Sequence, residues 1–243
     1  EPIPQNLGEL CKAVLHHNAD FGIAVDPDVD RLVFITEKGE PFGEENTVTS
    51  AVKFVLSHAV QHSKDKQHVV VNLSTTRAVE DVARFYGAKV IRTPVGEINV
   101  AQKMKDIGSI IGGEGSGGVI LPAVHYGRDA IAGIGLILQQ LAEFNGTLGE
   151  FKETLPKYFI LKDKINLEGT DPENVLAILS EQIEKGGRVN TDDGLKVDYP
   201  DSWIHLRKSN TEPIIRIITE APSLPRAQEL IVQFQNKIKK IGR

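Results

Sequence analysis

The order of strand-like and helix-like segments is the feature that most limits the folds open to this chain. From about residue 41 to residue 154, short runs of β-branched residues alternate with stretches whose apolar residues recur at helical spacing. Strands that alternate with helices need crossover connections, which give a parallel sheet with helices on its faces. The sequence therefore predicts an α/β domain over these residues.

The pattern changes after Pro156. A strand-like run, "YFILKDKINL", precedes a helix predicted from Pro172 to about Lys185, and three more strand-like runs then follow with no helix between them. Successive strands of this kind favour an antiparallel sheet. We expect a separate α+β domain here, closed by a helix from about Leu224 to Ile241.

Composition places few limits on function but excludes some classes. The chain has 243 residues, a net charge of −5 and no block of basic residues, so nothing in its charge favours nucleic-acid binding. Its apolar runs are too short for a membrane span, and we expect no membrane partner. Cys11 is the only cysteine, which fits a reducing, cytoplasmic compartment. The chain begins at Glu1 rather than Met, which suggests a piece of a longer protein.

Three aspartates stand at alternate positions in the turn between two N-terminal strands. Asp26, Asp28 and Asp30 belong to the stretch "GIAVDPDVDRLVFI", with apolar runs on both sides. Carboxylates at this spacing can direct oxygens to one hard cation, whose charge offsets their mutual repulsion. The pattern predicts a metal site, with a solvated polar turn as the alternative.

The same spacing resembles a calcium loop but lacks its turn residue. Glu37 falls at the twelfth position counted from Asp26, yet the sixth position, which needs glycine, is Arg31. A compact aspartate site that leaves coordination positions open for a phosphate oxygen suits Mg²⁺ better. Arg31, beside it, is a candidate to bind that phosphate.

A glycine-rich stretch, "GGEGSGGV", occupies residues 112–119. Glycine lets the backbone approach a ligand closely, and Glu114 and Ser116 are the side chains there that offer hydrogen bonds. A carboxylate and a hydroxyl two residues apart suit the vicinal hydroxyls of a sugar. An ordinary glycine-rich turn is the alternative.

Two further segments are candidate anion sites. "RKSNTEPIIRI", residues 207–217, combines two arginines with small polar residues, and Arg207, Ser209 and Thr211 can surround one phosphate. "RTPVGEIN", residues 92–99, is a strand-to-helix junction with Gly96 near the helix N-terminus. The alternatives are a hairpin loop for the first and a simple connection for the second.

The order of these motifs resembles the α-D-phosphohexomutase family. The aspartate turn with its arginine comes first, followed by "TPVG", "GEGSGG" and "RKSNTEP". The resemblance implies that residues 1–40 are the end of the second domain of that family and carry its metal loop. It implies a three-layer mixed α/β domain, the third, over residues 41–154. Residues 155–243 are then the C-terminal α+β domain with an antiparallel sheet.

The resemblance also implies an enzyme. Its members are Mg²⁺-dependent phosphomutases that interconvert hexose 1-phosphate and hexose 6-phosphate through a phosphoserine, with hexose 1,6-bisphosphate as intermediate and activator. In the family that serine belongs to the first domain, and no stretch here resembles its loop. The expected partners are therefore a hexose phosphate and the N-terminal domains of the same protein, and the chain alone is expected to be inactive.

Residue roles follow from the matched motifs. The resemblance implies that Asp26, Asp28 and Asp30 bind Mg²⁺. It implies that Arg31 helps to neutralise the charge on the phosphoryl group during transfer. The substrate-binding residues that it implies are Glu114, Ser116, Thr93, Gly96, Arg207, Ser209, Asn210, Thr211 and Arg216.

The sequence departs from the family pattern at several positions. "DPDVDR" replaces the commoner "DGDGDR", and Asn210 replaces a usual glycine. Gly118 and Glu97 stand where many relatives have histidine, so the acid–base roles of those histidines cannot be carried over. The nearby candidate to compensate for the absent histidines is His125 or Arg128.

Three other functions remain open from the sequence. The first is that the parent protein is a phosphoglucosamine mutase. The second is that the chain is a catalytically inert fragment that binds sugar phosphates. The third is a metal-dependent phosphatase that uses Asp26 as its nucleophile, which leaves the two later loops unexplained.

Overall fold

The computed structural model describes residues 1–59, 67–167, 169–183, 186–209 and 212–241. The chain divides into two compact units, Glu1–Pro156 and Lys157–Arg243. Among the described residues, no helix has both the length and the apolar character needed to cross a membrane.

The first unit alternates helices and strands as the sequence pattern indicates. Its elements, in chain order, are a 3₁₀ turn (Pro4–Asn6), α1 (Gly8–His17), β1 (Phe21–Val25), β2 (Leu32–Thr36), α2 (Glu44–Ala59), β3 (His68–Asn72), α3 (Ala78–Phe85), β4 (Lys89–Thr93), α4 (Glu97–Ile107), β5 (Ile111–Glu114), β6 (Gly118–Ile120), α5 (Ala130–Phe144) and α6 (Leu148–Glu153).

The main sheet of this unit is mixed and lies between two layers of helices. Its strand order is β4-β3-β5-β6, with β3 parallel to β4 and β5, and with β6 antiparallel to β5. Val69 and Val71 pack into the core formed with α2 and α3, whereas Val70 packs with residues of α4. A strand buried on both faces explains the uninterrupted valine run. The predicted three-layer α/β fold is confirmed.

A two-stranded antiparallel pair, β1 and β2, carries the aspartate turn. Every residue of β2 is buried. Leu32 and Phe34 pack with residues of α5 and α6, while Val33 and Ile35 pack with residues of α1. Because β2 is fixed on both faces, the turn that precedes it has a rigid base.

The second unit is an antiparallel sheet with helices on one face. Its elements are β7 (Phe159–Asn166), α7 (Pro172–Glu181), β8 (Arg188–Asn190), β9 (Leu195–Asp198), β10 (Trp203–Lys208), β11 (Ile214–Ala221) and α8 (Leu224–Ile241). The strand order is β7-β11-β10-β9-β8, and every pair is antiparallel. Alternate residues of the central strands, including Ile204, Leu206, Ile215 and Ile217, form one core with α7 and α8. The predicted α+β fold of this part of the chain is confirmed.

Some boundaries differ from those that the sequence indicates. Helix α7 ends at Glu181, short of the predicted end near Lys185, a residue outside those described. Helix α6 and strand β8 were not predicted, because six and three residues are too few to show a period. Thr147 and Glu150 form a capping box at the start of α6, which is the local signal for that helix.

Candidate functional site

The aspartate loop, residues 26–31, is held by backbone hydrogen bonds to its first member. The Asp26 side chain is nearly buried, and its Oδ1 accepts from the N–H groups of Asp30 at 3.1 Å and of Arg31 at 2.9 Å. The Val29 N–H donates to the Asp26 carbonyl at 3.0 Å and closes the turn. One aspartate therefore organises the loop, and Asp28 stays exposed.

The three carboxylates converge. One oxygen from each of Asp26, Asp28 and Asp30 lies within 4.8 Å of the other two, and Asp30 Oδ1 is buried with no hydrogen-bond partner among the residues that the structure describes. Such crowding of like charges is costly unless a cation is shared between them. Hard cations such as Mg²⁺ take carboxylate oxygens as ligands. The donor set and the orphaned Asp30 oxygen therefore fit Mg²⁺.

Crowding also shifts the acidities of this loop. Burial raises the pKa of Asp30, and hydrogen bonding with Asp26 raises it further, against the opposing charge of Arg128. Burial also acts to raise the pKa of Asp26, but hydrogen bonds from the Arg31 N–H and from Asp30 outweigh it, so the pKa of Asp26 is lowered. The pKa values of these two carboxyl groups are thus shifted in opposite directions.

Arg31 lies against the same carboxylates. Its Nε is 3.5 Å from Asp26 Oδ2 and 4.0 Å from Asp30 Oδ1, and its Nη1 pairs with Glu1 at 2.7 Å. The positive charge of this guanidinium lowers the net negative charge of the loop, and its Nε lies beside the carboxylate cluster.

The glycine-rich stretch, residues 112–119, packs directly beside the aspartate loop. The Leu32 N–H donates to the Gly117 carbonyl at 3.2 Å, and a Cβ at Gly117 would clash with the Leu32 carbonyl. Gly117 has a φ of +88°, which side chains other than glycine rarely adopt. The glycine at position 117 thus lets this stretch of backbone lie directly against the start of β2.

Glu114 ends β5 and is buried among donors. Its Oε1 accepts from Asn72 Nδ2 at 2.7 Å and from the Gly96 N–H at 2.9 Å. The structure thereby brings together Glu114 and Gly96, which the sequence places in separate motifs. Ser116 is half-buried in the turn that follows. Thr93 is buried, and its hydroxyl donates to the Pro94 carbonyl at 3.0 Å.

Arg128 joins these motifs, although sequence reasoning did not place it among the site residues. Its Nη2 pairs with Asp30 Oδ2, its Nη1 pairs with Glu114 Oε2 at 3.1 Å, and its Nε lies 3.5 Å from Glu97 Oε2. The only sequence signal is an arginine directly before the helix-capping Asp129, near a glycine-rich stretch. His125, the histidine near these motifs, pairs with Asp129 at 3.0 Å and is half-exposed.

The second unit carries a row of basic residues on adjacent strands. Arg207 on β10 lies directly opposite Arg216 on β11, which lies opposite Lys164 on β7. Directly opposed residues of antiparallel strands point to one face of a sheet, so the three cations share a face. Arg207 also pairs with Asp193 at 2.9 Å. A row of like charges favours binding of an anion.

The rest of the predicted phosphate loop is described only in part. Ser209 follows β10, and its N–H donates to the Ile214 carbonyl at 3.0 Å. Asn210 and Thr211 lie outside the described residues.

Models of one protein family match three successive parts of the chain. They are described as phosphoglucomutase/phosphomannomutase alpha/beta/alpha domain II, over residues 1–39, alpha/beta/alpha domain III, over residues 47–159, and the C-terminal domain, over residues 164–237. The chain belongs to the phosphoglucomutase/phosphomannomutase family. The resemblance carried by the order of the four motifs is confirmed.

Individual members of the family are similar over nearly the whole chain. A Thermococcus kodakarensis protein named phosphoglucomutase/phosphomannomutase is 37% identical over 95% of this chain and 50% of its own length. A probable phosphoglucosamine mutase of Methanopyrus kandleri is 32% identical over 99% of this chain and 52% of its own length. The chain thus spans about half the length of the curated relatives that it matches.

Solved structures of the family share the fold. The crystal structure of a phosphoglucomutase/phosphomannomutase family protein from Burkholderia thailandensis superposes with a TM-score of 0.83 at 24% identity. The match covers 98% of this chain and 50% of that one.

Proposed function

We propose that this chain is the metal-binding and sugar-binding part of a phosphohexomutase. The observation that carries the proposal is the convergence of Asp26, Asp28 and Asp30 within 4.8 Å, beside a buried glutamate on a glycine-rich stretch. The reaction is the interconversion of a hexose 1-phosphate and a hexose 6-phosphate. Family membership supports this reaction class, since the relatives named above are phosphomutases.

The acidic and basic residues of the candidate site have distinct roles in that reaction. Asp26, Asp28 and Asp30 would hold Mg²⁺, and the bound ion would supply positive charge to offset that of a phosphoryl group. Arg31 adds a fixed positive charge beside them. Glu114 accepts from a sugar hydroxyl at Oε2, which holds one hydrogen bond, from Arg128, whereas Oε1 holds two, from Asn72 and Gly96. Ser116, in the turn that follows, binds a second hydroxyl of the sugar.

The phosphate that does not react binds to the second unit. Arg207 and Arg216 provide charge on one face of the sheet, and Ser209 lies at the end of β10. Asn210 and Thr211 complete the ligand set that the family resemblance implies. A fixed phosphate site and a fixed donor require the bisphosphate intermediate to turn between the two transfers. The Gly96 N–H holds Glu114 in place, and the family resemblance adds Thr93, the last residue of β4, to the same site.

The phosphoryl donor is a serine supplied by N-terminal domains of the same protein. The length of the relatives, about twice that of this chain, supports this assignment. Hexose 1,6-bisphosphate is then the intermediate and the activator that restores the phosphoserine. The free Cys11 supports a reducing, cytoplasmic location.

A coupled mutase assay tests the proposal. The full-length protein that contains this chain is supplied with Mg²⁺, a trace of hexose 1,6-bisphosphate, and the 1-phosphates of glucose, mannose and glucosamine in turn. We expect conversion to the 6-phosphate, abolished by chelation of Mg²⁺, with preference for the glucose and mannose substrates. Preference for glucosamine phosphate would identify the second candidate, a phosphoglucosamine mutase, which a 32% identical relative favours.

Two controls make the assay decisive. Asp28→Ala should abolish activity, whereas Asp20→Ala, which removes another exposed carboxylate of the same unit, should not. This chain alone should be inactive for want of a donor. Release of one inorganic phosphate per substrate consumed would contradict the proposal and indicate a phosphatase.

A further inference from the structure

Arg128 contacts three acidic side chains that come from three different segments. Asp30 belongs to the aspartate loop, Glu114 ends β5, and Glu97 begins α4. The Arg128 N–H also donates to Glu97 Oε1 at 2.7 Å. A planar guanidinium suits this arrangement, because its donors point in fixed and separate directions.

The backbone at Arg128 is firmly placed. Asp129 caps α5 by accepting from the Ala132 N–H at 2.9 Å, and the Ala130 N–H donates to the Val29 carbonyl at 3.1 Å. Gly118 makes room for the side chain, since a Cβ there would clash with Arg128 Cδ. The Arg128 side chain is only 15% exposed. The position of the Arg128 side chain is therefore set by the fold, unlike that of a surface arginine that pairs with nearby acidic residues by chance.

Each contact uses an oxygen that matters to the site. Arg128 binds Asp30 through Oδ2, which leaves the orphaned Oδ1 to the aspartate cluster. It binds Glu114 through Oε2, the oxygen that Asn72 and Gly96 do not use. The same guanidinium therefore holds one carboxylate of the aspartate cluster and the carboxylate proposed to bind the sugar.

Charge gives this connection an energetic consequence. A cation at Asp30 Oδ1 withdraws negative charge from Asp30 and weakens its attraction for Arg128. The guanidinium would then interact more strongly with Glu114 and hold that carboxylate more firmly in place. Occupation of either site thus changes the free energy of occupation of the other, which is the definition of coupling.

We propose that Arg128 is a positioning residue that couples the cation site at Asp30 to the sugar site at Glu114. The inference rests on the proposed function, because it takes Mg²⁺ and a hexose phosphate as the two ligands. Arg128 touches neither ligand in this assignment and acts through the two carboxylates. Lysine cannot replace it, since one ammonium group cannot span both carboxylates with the same geometry.

Isothermal calorimetry on this chain measures the coupling directly. The dissociation constant of Mg²⁺ is determined without and with saturating glucose 1-phosphate, and that of glucose 1-phosphate without and with Mg²⁺. In the wild type we expect each ligand to strengthen binding of the other by about fivefold or more. In Arg128→Lys and Arg128→Gln the ratio should fall toward one, apart from direct attraction between Mg²⁺ and phosphate.

The variants and their control separate positioning from folding. Arg128→Lys keeps the positive charge next to Asp30 and Glu114, so it preserves the fold if Arg128→Gln does not. Arg84→Gln removes an exposed arginine that pairs with Asp81, and it should keep the wild-type ratio. A merely structural role would weaken both ligands and leave their ratio unchanged.

Failure of this inference differs from failure of the proposed function. Coupling within twofold of the wild-type ratio in both Arg128 variants, with both ligands still bound, would overturn the role of Arg128 alone. A wild-type chain that binds neither Mg²⁺ nor glucose 1-phosphate would overturn the proposed function, and the coupling with it.

Discussion

The two charged turns of this chain treat like charges in opposite ways. The aspartate loop brings three carboxylates within 4.8 Å of one another and leaves one buried oxygen, Asp30 Oδ1, without a hydrogen bond from any described residue. The hairpin that joins β10 and β11 spreads its cations across neighbouring strands, and Arg207 has a counter-ion in Asp193 at 2.9 Å. Both turns connect antiparallel strands, so the difference lies in the side chains.

This difference predicts how each turn depends on its ligand. In the aspartate loop, repulsion is relieved only in part, by Arg31 and Arg128, and a bound cation should stabilise the folded chain. In the hairpin, Asp193 already offsets the charge of Arg207, so a bound anion should relieve less repulsion there than a cation relieves in the aspartate loop. The following experiments test that contrast, beginning with the largest expected effect.

Acid should destabilise the second unit through His205. This residue of β10 is fully buried, its Nε2–H donates to the Asp193 carbonyl at 2.7 Å, and burial lowers its pKa from 6.5 to about 4. Between those values the unfolded chain binds a proton that the folded chain does not. Stability is therefore complete above the unfolded pKa and falls as pH decreases toward 4, by about 3 kcal/mol in total.

Denaturant unfolding between about pH 7 and pH 4 measures this effect. His205→Gln, which keeps a polar side chain but cannot titrate there, should lack that part of the pH dependence. If the free energy of unfolding depended on pH equally in the variant and the wild type, His205 would not be the source of this pH dependence.

Removal of the Arg207 charge should weaken phosphate binding without touching the metal site. Arg207→Gln loses one charge-assisted hydrogen bond to a phosphate, which corresponds to roughly tenfold in the dissociation constant of glucose 1-phosphate. Mg²⁺ affinity and the free energy of unfolding should change little. Arg226→Gln on α8, where Arg226 pairs with Glu229, is the matched control. Unchanged affinity for the sugar phosphate would remove Arg207 from the phosphate site.

The smallest effect concerns Val29 in the aspartate loop. Its φ of +58° lies in the left-handed region, which is unfavourable for a β-branched residue, and its side chain is partly exposed. Val29→Gly removes that strain but increases the freedom of the unfolded chain, so we expect a net gain of roughly 0.5 kcal/mol in the free energy of unfolding. A loss of stability in thermal unfolding would show that contacts of Val29 outweigh its strain.

Periodic patterns predicted most of the fold because they reflect local burial. The run from Val69 to Val71 identifies a strand covered on both faces, and the structure places helices on both. The closing helix has the predicted bounds, Leu224 to Ile241, because its apolar stripe is long. Strand β8 has three residues, two of them exposed, and its pairing with β9 depends on tertiary contacts that leave no local pattern.

The candidate site also contains contacts that the sequence predicts and contacts that it does not. Asp26, Asp28 and Asp30 lie within five residues, so their proximity is visible in the sequence. The convergence of Asp30, Glu97 and Glu114 on Arg128 is not, because the members come from segments up to 98 residues apart. Nor does the sequence show that Asn72 is bound to Glu114. Such contacts arise from the strand order, and only the assembled sheet reveals them.

Titration of this chain with Mg²⁺ by isothermal calorimetry is the most direct test of the central claim, that the aspartate loop is a cation site. The wild type should bind one Mg²⁺, and Asp28→Asn should lose more than about a hundredfold in affinity, since it removes a proposed ligand rather than an outer-shell partner. Asp20→Asn should bind as the wild type does. Equal Mg²⁺ affinity in Asp28→Asn and the wild type would contradict the account.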